Sequence, residues 1–219
     1  KKLLDRGHEI KLNKRIIETS KYGMIGLHAG HPPIGHGRAP IPWNIIYNFN
    51  DIEVYTFLAN ATADDGEIIL KKTVEISPFD DARILYEKIM LAGSQLIIES
   101  VKLMGNKHKF EKQEKQFFSF YDKRSESDSY LNFNNNCNYV YNFIRALSSP
   151  YPNAFAFVEN KKIKFLSSQP FDIFLYRNYQ KTPGKILEVI PSGLIVQTQD
   201  YPILIKEFVY KQKIYKFSL

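Results

Sequence analysis

The chain has 219 residues, 44% hydrophobic and 24% charged, a composition that excludes a disordered protein and suffices to bury a core. Thirty Lys and Arg against 23 Asp and Glu give a formal charge of +7, which favours anionic partners, although the basic residues are spread along the whole chain as on an ordinary solvated surface. Cys137, the single cysteine, excludes an internal disulfide and a cysteine-built metal site, and no apolar run approaches the roughly 20 residues of a bilayer crossing, so a soluble, cytoplasmic protein is expected.

Residues 9–20 place Ile10, Leu12, Ile16 and Ile17 among lysines and glutamates, which predicts a helix stopped by Tyr22-Gly23. Met24–His28 reads as a short buried strand. Between Ala29 and Arg38 three glycines and two prolines forbid regular structure, and Pro40 then opens a helix through Trp43, Ile45 and Ile46. Val54–Leu58 and Glu67–Ile76 read as strands flanking the turn Thr62-Ala63-Asp64-Asp65-Gly66. The clearest helix begins at Asp80-Asp81, whose acids suit the positive end of its dipole. It carries Leu85, Ile89, Ala92 and Leu96 on one face and ends at Met104 before Gly105. Residues 106–129 are charged and polar and are expected to cross the surface between two domains. A helix over 138–147 is stopped by Ser149-Pro150-Tyr151-Pro152. Short strands follow at 155–158, 163–166, 186–190, 193–197 and 203–209, separated by Pro183-Gly184 and Pro191-Ser192-Gly193 turns, as in a small β-barrel or sandwich. The pattern is an α/β body followed by a small β domain.

Three of the five histidines, His28, His31 and His36, fall within nine residues of one another. Zinc accepts three imidazoles, but an irregular Gly/Pro loop has no periodicity to aim them inward. His28 differs from the others in closing a strand, where an α/β sheet presents its ligand-binding edge. Taken singly, it reads as a loop histidine with one backbone hydrogen bond, and Asp64 as a turn aspartate before glycine.

The residues around them carry a resemblance. His28-Ala29-Gly30-His31-Pro32-Pro33-Ile34-Gly35-His36-Gly37-Arg38-Ala39-Pro40-Ile41-Pro42-Trp43 resembles the signature of formyltransferases that use 10-formyltetrahydrofolate: Asn-x-His, then Ser-Leu-Leu-Pro, then Arg-Gly and a proline-led helix. Pro33, Gly37 and Asp64 fall in register with it. Ala63-Asp64-Asp65-Gly66-Glu67-Ile68-Ile69 is similar to the family's Asp-x-Gly-x-Ile segment. Ile144-Arg145-Ala146 and Ser149 to Phe155 are similar to its Ile-Arg-Ala and Pro-Tyr-Pro-Gly-Ala-Phe segments, and Thr182 to Ile186 to the opening of its C-terminal β domain.

The resemblance spans residues 24–219 and implies an α/β chain. A partial Rossmann-like formyltransferase domain over 1–125 would precede a C-terminal subdomain over 126–219 with a linker helix and a small OB-like β-barrel. With only about one helix ahead of the histidine-bearing strand, an N-terminally truncated chain is expected. The implied reaction moves a formyl group from 10-formyltetrahydrofolate to the amino group of a nucleotide-linked amino sugar, because the Gly37-Arg38-Ala39-Pro40-Ile41-x-Trp43 turn is most similar to the sugar enzymes. Methionyl-tRNA formyltransferase is the alternative, as is a catalytically impaired member that only binds ligand. His28 and Asp64 would be catalytic, Thr62, Ala63, Asp64 and Asp65 would line the pterin pocket, and Arg38 and Arg124 would face the substrate. No metal and no membrane are implied, nucleic acid enters only as an acceptor tRNA, and a homodimer is compatible. An imidazole with pKa near ~6.5 can take the amine's proton or hydrogen-bond the developing oxyanion, with Asp64 orienting it.

The chain departs from the family in one chemically important place. Gly26 stands where the family has an asparagine whose amide donates to the formyl oxygen, and losing one such donor costs about 10²–10³ in rate. Asn44, a water or altered activity would have to answer for it. His36 also replaces a fixed arginine charge, which it restores only when protonated. For a tRNA acceptor, Lys181, Lys185, Lys206, Lys211, Lys213 and Lys216 would have to cluster into a basic face.

Overall fold

A computed structural model of the chain describes residues 15, 17, 19–32, 34–60, 62, 64–104, 108–114, 120–121, 124–171 and 182–217. Most of the helix expected over 9–20 lies outside them. In chain order the elements are β1 (Ile25–Gly30), β2 (His36–Gly37), α1 (Pro40–Ile46), β3 (Asp51–Leu58), β4 (Ile68–Glu75), α2 (Ala82–Leu103), β5 (Phe120–Tyr121), a 3₁₀ turn (Ser127–Ser129), α3 (Cys137–Ala146), β6 (Ala154–Val158), β7 (Lys161–Pro170), β8 (Ile186–Ile190), β9 (Gly193–Val196), β10 (Ile203–Tyr210) and β11 (Lys213–Lys216). They fall into two compact units. One draws on Lys1–Pro40, Asp51–Glu75 and Glu87–Lys123, the other on Ile41–Asn50, Ile76–Tyr86 and Arg124–Leu219.

In the first unit β1, β3 and β4 form an antiparallel sheet in the order β1-β3-β4. The expected α/β mixture is present. The parallel ladder of a Rossmann-like sheet, however, does not occur among the described residues beyond the two-residue β2–β5 pair in this unit. Chain length explains the β3–β4 pairing, since residues 59–67 are too few for the crossover that parallel neighbours need. The face of α2 predicted from the spacing is the buried one: Leu85, Ile89, Ala92 and Leu96 are all buried. Asp81 caps the helix by accepting the Ile84 N–H at 2.9 Å. A Cβ on Gly93 would lie 2.7 Å from Leu27 Cδ2, so glycine is what lets α2 approach β1 closely. A buried 2.6 Å hydrogen bond between Thr56 Oγ1 and Ser100 Oγ ties α2 to β3.

The second unit holds a six-stranded antiparallel sheet in the order β6-β7-β10-β9-β8, with β11 also paired to β10. The expected OB-like barrel is corrected here: among the described residues β6 and β8 do not pair, so the sheet is open. Strand β10 shows why. Residues 203–205 pair β9 and residues 207–210 pair β11 along one edge, while β7 occupies the other. The sequence reading missed β11, because Lys211-Gln212 carries none of the Gly, Asn or Asp marks of a tight hairpin turn. Lys211 and Gln212 both take left-handed φ, 49° and 63°, and form the two-residue turn that matches strand twist in a hairpin. Glu159 and Asn160 do the same between β6 and β7.

Helix α3 is capped by the Asn136 side chain, which accepts the Tyr139 N–H at 2.8 Å. Its Arg145 is buried and donates to Asn142 Oδ1 at 2.8 Å and to the Ser77 and Asp80 carbonyls at 3.2 and 2.6 Å. Tyr141 and Asn142 reach Pro78 O and Asn48 Oδ1 at 2.9 and 3.0 Å. Among the described residues no helix is long and apolar enough to cross a membrane.

Candidate functional site

The β1–β3 register builds one side of the site, because directly opposed residues on neighbouring strands share a face. His28 stands opposite Tyr55, and Gly26 opposite Phe57. The His28 ring meets the Tyr55 ring edge-on, 5.7 Å between centroids at 70°, and the His36 ring is stacked at 6.3 Å and 11°. These walls leave the His28 side chain only 12% exposed, with Nδ1 3.6 Å from Asp64 Oδ2. At that distance the pair interacts through charge, just beyond a formed hydrogen bond. Nε2 of His28 is buried and lacks a hydrogen-bond partner of normal geometry.

Asp64 is held by its loop. It sits at a left-handed φ of 57°, its Oδ2 accepts a long 3.5 Å bond from the Gly37 N–H, and Gln113 Nε2 donates to the Asp64 and Gly66 carbonyls at 2.8 and 2.7 Å. Residues 108–114 are positioned for this by reciprocal backbone bonds between Glu111 and Ile68, at 2.8 and 3.1 Å. A Cβ on Gly66 would lie 1.6 Å from the Leu58 carbonyl, so only glycine lets the loop pass that strand end.

Burial lowers the His28 pKa below its ordinary value, and the opposing effects of Asp64 and the Gly35 backbone carbonyl only partly offset it. The ring is therefore neutral at pH 7, with a lone pair available as a base. Tyr55 is pushed well above the usual phenol range, first by burial and then by the Asp64 and Glu53 charges, so it stays neutral.

Of the other expected site residues, Thr62 is exposed, its N–H bonded to Asn60 Oδ1 at 2.8 Å. Asp65 is buried next to Asp64 in the chain. Ala63 lies outside the described residues. Arg38 is half-buried, and its backbone N–H donates to the Tyr121 carbonyl at 3.2 Å, which fixes the end of the loop. The three histidines do not converge: His31 Nε2 lies 3.1 Å from the Asp51 carbonyl instead. Arg124 and Asn44 belong to the second unit. Asn44 is fully buried there. The Arg124 guanidinium lies over the Trp43 ring at 4.5 Å and the Phe143 ring at 5.8 Å, donates from Nη2 to the Asp128 carbonyl, and keeps a buried Nε without a partner. Burial lowers its pKa, and Asp128 and nearby tyrosines oppose the shift.

The sequence reading missed three residues: Gln113, Tyr55 and Phe57. Phe57 bears on the glycine at position 26. A Cβ there would lie 2.3 Å from Phe57 Cζ and 2.7 Å from both Cε atoms. The space a side chain at 26 would enter is occupied by a buried ring packed with Tyr55 and Ile68. Strand pairing was the available signal, since it sets 26 against 57.

The family profile described as "Formyl transferase, C-terminal domain" matches residues 123–216. The methionyl-tRNA formyltransferase of Thermodesulfovibrio yellowstonii is 30% identical over 189 residues, 86% of this chain and 59% of that protein. The chain thus spans about three fifths of that relative's length. Among solved structures, HypX from Aquifex aeolicus in complex with tetrahydrofolic acid aligns with a TM-score of 0.71 at 16% identity, over 95% of this chain and 36% of that one. The N-formyltransferase from Helicobacter canadensis in complex with folinic acid and dTDP-3-aminofucose aligns at 0.60 and 19%, over 83% and 65%. At such identities the two structures speak for the fold alone, whereas the C-terminal profile and the sequence relative speak for descent. On these grounds residues 123–216 are similar to the formyltransferase C-terminal domain, and the chain is similar over 86% of its length to a methionyl-tRNA formyltransferase.

Proposed function

We propose that His28 and Asp64 transfer a formyl group from 10-formyltetrahydrofolate to the amino group of a nucleotide-linked amino sugar. The observation that carries this reading is a buried, neutral imidazole with a bare Nε2 and a carboxylate 3.6 Å from Nδ1. The folate supplies a formyl group carried on nitrogen. Nε2 takes the proton that the acceptor amine sheds as its nitrogen bonds the formyl carbon. Asp64 stabilises the resulting imidazolium and holds Nδ1 protonated, and return of the proton to the departing nitrogen closes the balance. The site suits a folate head group: the carbonyls of Asp64 and Gly66, held by Gln113, stand in the same unit as the buried His28 Nε2.

The sugar acceptor is supported by Arg124. A guanidinium that lies over the Trp43 and Phe143 rings is a cation suited to phosphate, the chemistry present in the ligand of the Helicobacter canadensis structure. Methionyl-tRNA is the second reading, favoured by the relative at 30% identity. Against it, Lys162 and Lys216 of the β domain are engaged with Glu126 and Glu207.

The test is release of tetrahydrofolate from 10-formyltetrahydrofolate with a panel of nucleotide-linked amino sugars and, in parallel, with methionyl-tRNA. Turnover with a sugar supports the first reading and turnover with tRNA alone the second. Ligand binding without turnover in either arm refutes both.

A further inference from the structure

The second unit holds a cleft of about 580 Å³ that formyl transfer does not use. Its walls come from α3, from β7 and β10, and from two short stretches, 48–50 and 76–79. On α3 the lining residues 138, 141, 142 and 145 recur at i, i+3, i+4 and i+7, so they share one face of the helix. Phe143, whose ring carries the Arg124 guanidinium, projects from a different face, which separates the cleft from the position of Arg124.

Three properties coincide in its lining. The first is charge: Arg145 and Lys206 contribute to it and, among the described residues, no Asp or Glu does. Within the described chain Arg145 donates from Nε and Nη1, to one amide and two carbonyls, which leaves Nη2 for an anion. The second is hydrogen-bonding capacity. Asn50, Asn138 and Gln169 bring side-chain amides, and Ser168 Oγ is buried without a hydrogen-bond partner. Buried hydroxyls are ordinarily satisfied, so a bare one in a polar cleft calls for a ligand atom. The third is a presented ring: Phe79 lines the cleft and is 88% exposed. Its turn is fixed beforehand. The Asp80 N–H donates to the Ser77 carbonyl at 3.0 Å, the Phe79 N–H to Ser77 Oγ at 3.3 Å, and the Ser77 N–H to Asp80 Oδ2 at 2.8 Å.

Cations without neighbouring acids take phosphate, amides and hydroxyls read the edge of a flat heterocycle, and an exposed aromatic ring stacks on its face. One class of small molecule carries all three groups. We propose that this cleft binds a nucleotide, its base against Phe79, its base edge on the amides and Ser168, and its phosphate on Arg145 and Lys206. The volume agrees, since small-molecule sites run from about 300 to 1,000 Å³. This inference stands whether or not the formyl-transfer reading holds, because none of these residues takes part in that reading.

Calorimetric titration of the 219-residue chain with AMP and UMP tests it, with adenosine, uridine and inorganic phosphate as separate arms. At least one mononucleotide should bind with a Kd of about 10–500 μM, and its nucleoside and free phosphate should each bind at least about tenfold more weakly. Phe79→Ala should weaken the nucleotide roughly 5- to 30-fold without lowering Tm, the ring being exposed. Lys206→Gln should weaken the nucleotide about tenfold and leave the nucleoside unchanged. Arg124→Ala should leave binding intact. If Arg124→Ala removes the binding and Phe79→Ala does not, the nucleotide sits at Arg124 and the proposal is overturned. Binding indifferent to both Phe79→Ala and Lys206→Gln also overturns it, as does the absence of mononucleotide binding at 5 mM, about tenfold above the expected range. A single-stranded oligonucleotide that binds where AMP and UMP do not makes the surface one for RNA and refutes the small-molecule site.

Discussion

Installing the family's asparagine at position 26 is the most informative single change, because the packing sets its outcome in advance. Gly26→Asn brings a Cβ to 2.3 Å from Phe57 Cζ, where carbon atoms rest at about 3.5–4.0 Å, so the ring must move by more than about 1 Å. Phe57 is buried against Tyr55 and Ile68 and has little room to yield. Overpacking of this kind costs about 1–3 kcal/mol. For a chain of this size each kcal/mol lowers Tm by about 2–4 °C, so a fall of about 2–12 °C is expected, with no gain in turnover.

Phe57→Ala alone should cost about 3–5 kcal/mol through the cavity it opens. Combined, the two changes should be less damaging than their sum, because the amide enters the vacated space. A favourable coupling of about 1–3 kcal/mol is expected for residues in direct contact. With the donor aimed at the formyl oxygen, the double variant should also turn over faster than Phe57→Ala by up to about 10²–10³. Thermal unfolding and steady-state release of tetrahydrofolate read both quantities. If Gly26→Asn alone keeps its Tm and raises the rate, Phe57 does not hold that space and the reasoning fails.

His28→Ala should lower turnover by about 10²–10⁴, the usual contribution of a positioned base, and a change under fivefold would remove His28 from the chemistry. Because burial lowers the His28 pKa, the acid limb of kcat/KM should fall below pH 6.5, and Asp64→Asn, which removes a charge that raises the pKa, should move it lower still. The same shift bears on stability: below pH 6.5 the unfolded histidine takes a proton that the folded one refuses, so unfolding free energy should drop as pH falls from 6.5 toward the folded pKa, and His28→Gln should remove that slope in urea titrations. Gln113→Leu deletes both donors that hold the Asp64 loop and should lower kcat more than it raises KM, with the NMR-titrated His28 pKa moving down; an unmoved pKa would make Gln113 merely structural. Gly66→Ala sets a Cβ 1.6 Å from a backbone oxygen, so soluble expression with native Tm would contradict the loop's geometry.

Local signals carried much of the architecture. The apolar face of α2, the existence of α3, the proline opening α1 and the turns between the last strands were legible because each depends on a few neighbouring residues. Pairing was not legible: the antiparallel β1–β3–β4 order and the open edge of the last sheet depend on which distant strands meet. At the site, His28 and Asp64 could be named from motif and spacing, and the structure brings them within 3.6 Å. Gln113 could not be named, since a glutamine 49 positions from Asp64 in a polar stretch has no local mark of its role. Phe57 looked like any strand phenylalanine until register placed it over Gly26.

Arg145 has a consequence for how the chain can be cut and how it folds. The second unit is discontinuous, and the carbonyls that receive the Arg145 guanidinium, Ser77 and Asp80, come from a stretch 65 to 68 positions earlier in the chain. A polypeptide begun at Arg124 would keep every strand of the six-stranded sheet and still leave this cation without two acceptors, Asn142 without Asn48 and Tyr141 without Pro78. Hydrogen bonds to a charged group contribute about 1.5–3 kcal/mol each, so such a piece would be hard to keep folded by its sheet alone. During folding the same contacts close long loops, which places docking of Ile76–Tyr86 onto α3 among the slow, high-contact-order steps rather than the early local ones.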